Sequence, residues 1–335
     1  MKRFTTILAV RNIPFLFEIF IMEVLFGSTS LPVEIVAVVA ILVSFFVYIL
    51  TSSFRRILKK YGVIDTDVHK QNKPKVPESG GIVLAIGFTI FLAFMFLLTH
   101  EVKLLYILVT SLLFGFFGFL DDLIKFGKYE KLIFSILISA LVLLFSNVYG
   151  IKLLLGIPFL IAFTNVFNIF AGLNGLEIGN STIISFFFMI CLFTLGNDML
   201  AFTNFGIFLI LLAFLLHNKY PAKIFLGNAG TLLVGSFFAS LTLQYDLYFI
   251  LIPLVSLHII DCILKGWSAG YFSSSEKKPT KVLKNGILQP RDDFLSFIRL
   301  LLRIKPMKEP ETVKLIWLLQ IIVGVLTAIT IGVLL

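Results

Sequence analysis

The chain has 335 residues, of which 59% are hydrophobic and 14% are charged, and its mean hydropathy is +1.02. Soluble domains carry charge on about one quarter of their residues, so this composition excludes an ordinary soluble protein and indicates a polytopic membrane protein. The net charge of +9 arises from basic residues in a few loops, a pattern of membrane topology and lipid contact that does not imply a nucleic-acid partner.

Apolar segments long enough to cross about 30 Å of hydrocarbon as helices recur along the chain. The first apolar stretch is interrupted by Arg11, Glu18 and Glu23, so residues 1–32 are interpreted as an interfacial or additional helix and not as a signal peptide. Ten spans are predicted after it, at 33–54, 80–98, 104–120, 132–148, 151–170, 181–196, 201–217, 230–245, 247–264 and 315–335. The sequence therefore predicts an all-α integral membrane protein, with residues 1–335 forming a single polytopic domain.

Lysine and arginine are distributed unevenly between the two sets of loops. They fall almost entirely in the loops 55–79, 121–131, 218–229 and 265–314. The opposite loops hold only Lys103 and Lys152, so the basic loops are predicted to be cytoplasmic and both termini to lie outside. The largest loop, 265–314, contains a segment at 291–304 whose polar and apolar residues alternate at helical spacing, which predicts an amphipathic helix on the membrane surface.

Two adjacent carboxylates, Asp121 and Asp122, appear abruptly where the third predicted span ends, and Lys125, Lys128 and Lys131 follow them. Adjacent carboxylates repel each other, so a pair at the end of an apolar helix needs water, cations or a metal to compensate its charge. A solvated helix end beside topogenic lysines is the simpler alternative for this stretch taken alone.

Three further polar, glycine-containing clusters lie at span ends on the same face, at 75–81, 165–179 and 225–231. In the second, Asn165 and Asn168 are three residues apart on a helix and Asn174 follows a glycine turn, so amide oxygens can converge. Such oxygens suit Mg²⁺, which completes its shell with water and substrate phosphates. Each cluster alone is also explained by helix caps and turns, and Phe225 by an interfacial aromatic. Together they predict a cytoplasmic site for a metal and a phosphorylated ligand.

These motifs resemble those of the polyprenyl-phosphate N-acetylhexosamine-1-phosphate transferases, from Pro77 to about residue 290 and in the number of spans. The sequence NIFAGLNGLE, residues 168–177, is most similar to the dolichyl-phosphate branch, whose enzymes use UDP-N-acetylglucosamine. The bacterial peptidoglycan branch has a more aspartate-rich version of this motif.

The resemblance implies an enzyme that depends on Mg²⁺, or on Mn²⁺ in its place. A polyprenyl phosphate of the dolichyl type would attack the β-phosphorus of UDP-N-acetylglucosamine and release UMP, the first step of lipid-linked oligosaccharide synthesis for N-glycosylation. It also implies contact with membrane lipids and the plasma membrane of an archaeon in preference to the endoplasmic reticulum. A homodimer is left open.

By this resemblance, Asp121 and Asp122 would position or activate the lipid phosphate and support the metal, and Lys131 would contact that phosphate. Asn168 and Asn228 would be metal ligands. The residues implied in substrate binding are Glu78, Gly172, Asn174, Phe225, Lys277 and Lys278. Of these, Gly172, Asn174 and Phe225 would form the uracil pocket, with Phe225 stacking on the base. Glu78 would lie near the nucleotide or sugar, and Lys277 and Lys278 would contact the pyrophosphate and sugar in a region that here lacks the family's histidine.

One departure from the family pattern bears on the metal. The fourth cluster usually reads Gly-Asp, whereas this chain has Gly227 and Asn228. A neutral ligand should weaken Mg²⁺ binding, although a substrate pyrophosphate supplies part of the missing charge. Because of Asn228, a family-like protein whose catalysis is weakened or lost stays open as an alternative. Ten spans would also suit a secondary transporter, whose site would be expected near the middle of the membrane.

Overall fold

The structure, a computed structural model, describes residues 32–146, 148–269, 280–291 and 294–334. Within these ranges it contains twelve helices: α1 (Val33–Lys60), α2 (Gly81–Thr99), α3 (Val102–Ile124), α4 (Lys128–Leu144), α5 (Ile151–Phe170), α6 (Leu176–Thr194), α7 (Asp198–Asn218), α8 (Gly227–Tyr245), α9 (Tyr248–Leu254), α10 (Ser256–Ala269), α11 (Phe297–Ile304) and α12 (Glu309–Leu334). Five short strands accompany them: β1 (Ile64–Thr66), β2 (Lys75–Pro77), β3 (Lys281–Val282), β4 (Ile287–Gln289) and β5 (Met307–Lys308).

The prediction of an all-α, multi-pass membrane protein is confirmed. Helices occupy all ten predicted segments, and seven of them in the described ranges are long and apolar enough to cross a membrane. Counting the pair α9 and α10, which is bent by 62°, as one span gives eight. Two of the helices that occupy predicted spans, α4 with only 17 residues and α8, are not among these eight, so the number of ten spans is not confirmed. The additional helix expected within residues 1–32 lies outside the described residues, apart from Pro32.

Two small antiparallel sheets, which the sequence analysis did not anticipate, stand beside the helices. Strands β1 and β2 form a hairpin in which Ile64 pairs with Pro77. Strands β3, β4 and β5 form a second sheet between α10 and α12. Within the predicted amphipathic segment 291–304, helix α11 covers only the last eight residues, and its buried Arg299 donates hydrogen bonds to the backbone carbonyls of Arg291 and Phe294.

Helix α8 lies at the centre of the described helices, and every residue from 229 to 243 is buried. Two glycines let neighbouring helices approach its first turn. A Cβ on Gly118 of α3 would overlap the backbone of Asn228, and one on Gly81 of α2 would overlap the backbone of Gly230. Small residues at helix crossings permit this close backbone contact in membrane proteins. The C-terminal end of α3, with its paired aspartates, is thereby held against the N-terminus of α8.

Candidate active site

A cavity of about 330 Å³ lies where the C-terminal end of α5 and the N-terminus of α8 meet the β1–β2 hairpin. Six of the predicted site residues line it: Glu78, Asn168, Gly172, Asn174, Phe225 and Asn228. They come from three separate stretches of sequence and all lie at helix ends or in connecting segments. The structure thus gathers the polar clusters at one end of the helices, and not at the mid-membrane level expected of a transport site.

Asp122 is buried and bonded to the start of α8. Its Oδ1 accepts a hydrogen bond from the backbone N–H of Asn228 at 2.8 Å, and its Oδ2 accepts from the N–H of Ala229 at 3.3 Å and from the hydroxyl of Ser79 at 2.8 Å. The first N–H groups of a helix have no partner within the helix, and its positive dipole end favours a carboxylate. Asp122 therefore holds α3, α8 and the segment before α2 together.

Asp121 has different partners and pairs with Lys131, the residue predicted to contact the lipid phosphate. Its Oδ2 lies 2.8 Å from the ammonium of Lys131 and accepts a hydrogen bond of 2.6 Å from the side-chain amide of Asn228. Its Oδ1 accepts from the backbone N–H of Phe126. The carboxylate is almost fully buried, whereas Lys131 is 41% exposed, so the ammonium has a free side for a second anion. Asn228 joins this group to the cavity, because it also lines the cavity wall.

The two predicted amide ligands, Asn168 and Asn228, are linked through Thr231 on the first turn of α8. The hydroxyl of Thr231 lies 3.0 Å from Oδ1 of Asn168 and 3.3 Å from the backbone carbonyl of Asn228. All three residues line the cavity. The structure therefore brings the predicted metal ligands of α5 and α8 to the same wall.

Glu78 lies between the aspartate pair and the cavity, just after β2. Burial, reinforced by the negative charge of Asp122, raises the pKa of Glu78 to about 7. Its partner Lys125 is 3.4 Å away and 62% exposed, so the ion pair compensates little of that effect. Glu78 is consequently a cavity carboxyl group that changes charge near neutral pH.

Asn174 is buried in the turn before α6 and is bonded on two sides. Its side-chain amide donates to Oδ2 of Asp67 at 3.0 Å, and its backbone N–H donates to Oε1 of Glu309 at 2.7 Å. Lys70 joins the two acids, with its ammonium 2.9 Å from Asp67 and 2.7 Å from Glu309. The hairpin loop, the turn before α6 and the first residue of α12 thus form one ionic cluster.

Two predicted pocket residues have backbone conformations that fix their positions. Phe225 is half-buried, and its N–H donates to the carbonyl of Pro77 at 2.7 Å while its own carbonyl accepts from Gly80 at 2.9 Å. Gly172 has a φ of +152°, which side-chain-bearing residues rarely adopt, and no atom lies within 4 Å of a Cβ built on it. Space for a ligand is therefore present beside Gly172.

Sequence reasoning missed the contribution of the β1–β2 hairpin and of helix α6. The cavity is also lined by Asp65, Thr66, Asp67, His69, Glu177 and Asn218. Acidic residues in an otherwise basic loop were the available signal for Asp65 and Asp67. Burial lowers the pKa of His69 to about 4, so it is neutral near pH 7. In the described part of the chain, the charged residues that line the cavity are therefore all acidic.

Glu177 is buried at the cavity wall and belongs to the NGLE motif. Its Oε1 accepts a hydrogen bond from the hydroxyl of Ser181 at 2.9 Å, and its Oε2 lies 3.2 Å from Nε2 of His258. The ring of His258 packs between Phe167 and Phe170, with centroids 4.9 and 4.2 Å away. This pair ties α10 to α6 beneath the cavity. The predicted residues Lys277 and Lys278 lie outside the described residues.

The chain is similar to a known protein family and to proteins of archaea and bacteria. The model of glycosyl transferase family 4 matches residues 104–246, which run from α3 through the end of α8. A Methanocaldococcus jannaschii protein, provisionally named a glycosyltransferase, is 37% identical over 265 residues, which cover 77% of this chain and 85% of that protein.

Two further relatives have more specific names. A Saccharolobus solfataricus protein, provisionally named a UDP-N-acetylglucosamine–dolichyl-phosphate N-acetylglucosaminephosphotransferase, is 31% identical over 316 residues, 86% of this chain and 95% of that protein. A phospho-N-acetylmuramoyl-pentapeptide-transferase of Petrotoga mobilis is 31% identical over 223 residues, 58% of this chain and 67% of that protein. Given this identity over most of the chain and the match across α3 to α8, the chain belongs to glycosyl transferase family 4.

Proposed function

We propose that the protein transfers N-acetylglucosamine-1-phosphate from UDP-N-acetylglucosamine to a polyprenyl phosphate of the dolichyl type. An oxygen of the lipid phosphate forms a bond to the β-phosphorus, the bond from that phosphorus to the bridging oxygen breaks, and UMP leaves with this oxygen. Family membership and the name of the Saccharolobus relative support this reaction. The archaeal relatives and the apolar helices favour the plasma membrane of an archaeon over the endoplasmic reticulum.

The observation that carries the proposal is the position of Asn228. This residue lines the cavity and also donates to Asp121, which in turn pairs with Lys131. A nucleotide in the cavity and an anion on the exposed side of Lys131 would therefore lie close together, on opposite sides of Asn228. Phosphoryl transfer requires this proximity of acceptor and donor, together with charge neutralisation.

Lys131 and Asp121 would act on the lipid phosphate. The ammonium of Lys131 neutralises the negative charge of the acceptor, and Asp121 fixes the lysine by their 2.8 Å ion pair. Asp122 holds the start of α8 in register beside them. On the nucleotide side, Phe225 would stack on uracil and the open space beside Gly172 would admit the base or ribose.

The oxygen donors present fit a magnesium ion. In the described part of the chain no group of three or more His, Cys, Asp or Glu residues is arranged to hold a metal. Asn168, Asn228 and Asp121 nevertheless offer hard oxygen atoms close together, as Mg²⁺ prefers, and the nucleotide phosphates would complete the shell. The ion, when bound, would neutralise pyrophosphate charge in a cavity whose own charged lining is acidic. Mn²⁺ accepts the same ligands.

The test measures UMP released by purified protein from UDP-N-acetylglucosamine, with and without dolichyl phosphate and with Mg²⁺, Mn²⁺ or a chelator. Release that requires both the lipid and the metal is the expected result. An intact protein that releases no UMP with either metal would contradict the proposal. The same preparation, examined by mass in detergent, would show whether the protein is a monomer or a homodimer.

A further inference from the structure

The side-chain amide of Asn174 is held in one orientation by an acid. Its nitrogen donates to Oδ2 of Asp67, which is 4% exposed and, when ionised, can only accept hydrogen bonds. The reverse orientation would set the amide oxygen against a carboxylate oxygen, which is repulsive. Asn174 lines the cavity, and one of its two amide N–H bonds is engaged by Asp67, so the amide oxygen is fixed in place and available to accept a hydrogen bond from a ligand.

Asp67 is itself paired with Lys70, a lysine that has three neighbours of its own. Lys70 pairs with it at 2.9 Å and with Glu309 at 2.7 Å, and the ammonium lies 4.2 Å from the ring centroid of Tyr220. Burial alone would lower the pKa of Lys70, but its hydrogen bonds to Glu309 and Asp67 raise it above the usual value, so the lysine stays charged. The charged ammonium of Lys70 therefore lies against the carboxyl group of Asp67, beside Asn174.

We propose that Asp67 is a positioning residue that makes Asn174 a hydrogen-bond acceptor and thereby selects a nucleobase with a ring N–H. This inference rests on the proposed function, because it concerns the same site and states that Asn174 accepts a hydrogen bond from the base. Uracil presents an N3–H donor to such an oxygen, whereas N3 of cytosine is an acceptor and would face it unpaired. A buried polar group left without a partner is a strong means of rejecting the wrong ligand.

Two other ionisable groups near Asp67, His69 and Asp65, do not fix the orientation of the Asn174 amide. His69 is neutral near pH 7 because burial lowers its pKa to about 4, and its Nδ1 is 2.8 Å from the hydroxyl of Thr280. Asp65 is an exposed cavity residue on β1, and the structure shows no hydrogen bond from it to Asn174. Asp65 therefore supplies a matched control, because it carries the same charge two residues away.

The experiment is an equilibrium titration of the full-length protein with UDP and with CDP at fixed Mg²⁺, in the wild type and in the variants Asp67→Asn, Asp67→Ser and Asp65→Asn. We expect the wild type to prefer UDP. Asn or Ser at position 67 can donate as well as accept, so the amide of Asn174 is free to turn over. The ratio of the CDP and UDP dissociation constants should then fall by about threefold to tenfold, the value of one hydrogen bond.

The control and the outcomes separate this inference from the proposed function. Asp65→Asn should change the affinity for both nucleotides by the same factor and leave the ratio unaltered. An unchanged ratio in whichever position-67 variant folds, or a wild type with no preference for UDP over CDP, would overturn the role of Asp67. Failure of the folded wild type to bind any uridine nucleotide would count against the proposed function itself.

Discussion

Asp121 and Asp122 are adjacent in sequence but bond to different parts of the protein. Asp122 accepts hydrogen bonds from two N–H groups at the start of α8 and from Ser79, whereas Asp121 pairs with the half-exposed Lys131. Neighbouring residues on a helix point about 100° apart, which permits this division. The first aspartate is therefore placed to act on an anion at Lys131, and the second to position a helix.

We expect the two isosteric variants to fail differently. Asp121→Asn should lower kcat at least about hundredfold, because Lys131 loses its anchor, with little change in thermal stability. Asp122→Asn should lower the free energy of unfolding by about 1–3 kcal/mol, because charged hydrogen bonds to buried N–H groups are weakened. Steady-state UMP release and the thermal midpoint in detergent measure the two effects. Equal loss of stability in both variants would refute the division of roles.

Glu78 gives the site a predicted pH dependence. Its pKa is raised to about 7, chiefly by burial, so the carboxyl group is neutral below that pH and negative above it. Affinity for the anionic nucleotide should fall by roughly tenfold as pH rises from 6 to 8, since one like charge then appears in the cavity. Glu78→Gln is neutral throughout and should keep its affinity at pH 8. Titration of UDP binding at both pH values checks this, and parallel curves for wild type and variant would disprove it.

Asn228 is neutral where the family pattern has an aspartate, and its side-chain amide donates a hydrogen bond to Asp121. An aspartate at this position would set two carboxylates where the amide now donates at 2.6 Å, an arrangement stable only with a cation or proton between them. Asn228→Asp should therefore lower the thermal midpoint in a chelator and raise it in Mg²⁺, by several degrees each. If it also increases Mg²⁺-dependent UMP release, the wild type is a weakened enzyme, as one alternative holds. A thermal midpoint indifferent to Mg²⁺ would remove Asn228 from the metal site.

At the scale of helices, the site depends on how closely α3 approaches α8. A Cβ on Gly118 would meet the backbone of Asn228, which cannot move without displacing the site. A Cβ on Gly115 of the same helix would meet chiefly the side chain of Leu233, at 2.8 Å, which can change rotamer. These two positions, one turn apart, form a matched pair for testing the crossing.

Gly118→Ala should abolish most activity and lower the thermal midpoint, because the end of α3 must move away from the start of α8. Gly115→Ala, with a flexible neighbour, should retain most of both. Thermal unfolding in detergent and UMP release measure the difference. Equal activities and thermal midpoints in the two variants would mean that α3 can move away from α8 without harm, and that the hydrogen bonds of Asp122 do not require their close contact.

The helices were predictable from the sequence, because long apolar runs alone are enough to locate them. Apolar runs mark the helices, and polar clusters at their ends mark Asn168, Asn174 and Asn228 as neighbours in one cavity. The hairpin residue Asp67 was not found, because its partner Asn174 is more than 100 residues away in sequence and no local period records such a contact. The small sheets were missed for a similar reason, since strands of two or three residues give no alternation to detect.

At the scale of the whole molecule, the two ends of the helices have different chemistry. The end of α3 that carries Asp121 faces the cavity and the hairpin, whereas its beginning carries Lys103, which lies 4.6 Å from the ring centroid of Tyr245. At that same end Lys152 pairs with Asp246 at 2.6 Å. Basic residues at the far end are thus few, and the other lysines and arginines of the described chain lie at the end that carries the site, as the positive-inside rule requires if the site is cytoplasmic.

This orientation predicts which positions a membrane-impermeant maleimide can reach in sealed, right-side-out vesicles. Lys152→Cys and Lys128→Cys are matched, because both lysines are exposed at helix starts but at opposite ends of the bundle. In a Cys262→Ser background, with Cys191 buried, the cysteine at position 152 should react before lysis, and that at position 128 only after detergent opens the vesicles. The reverse pattern would place the nucleotide cavity outside, where UDP-N-acetylglucosamine made in the cytoplasm could not reach it, and the proposed function would fail with the topology.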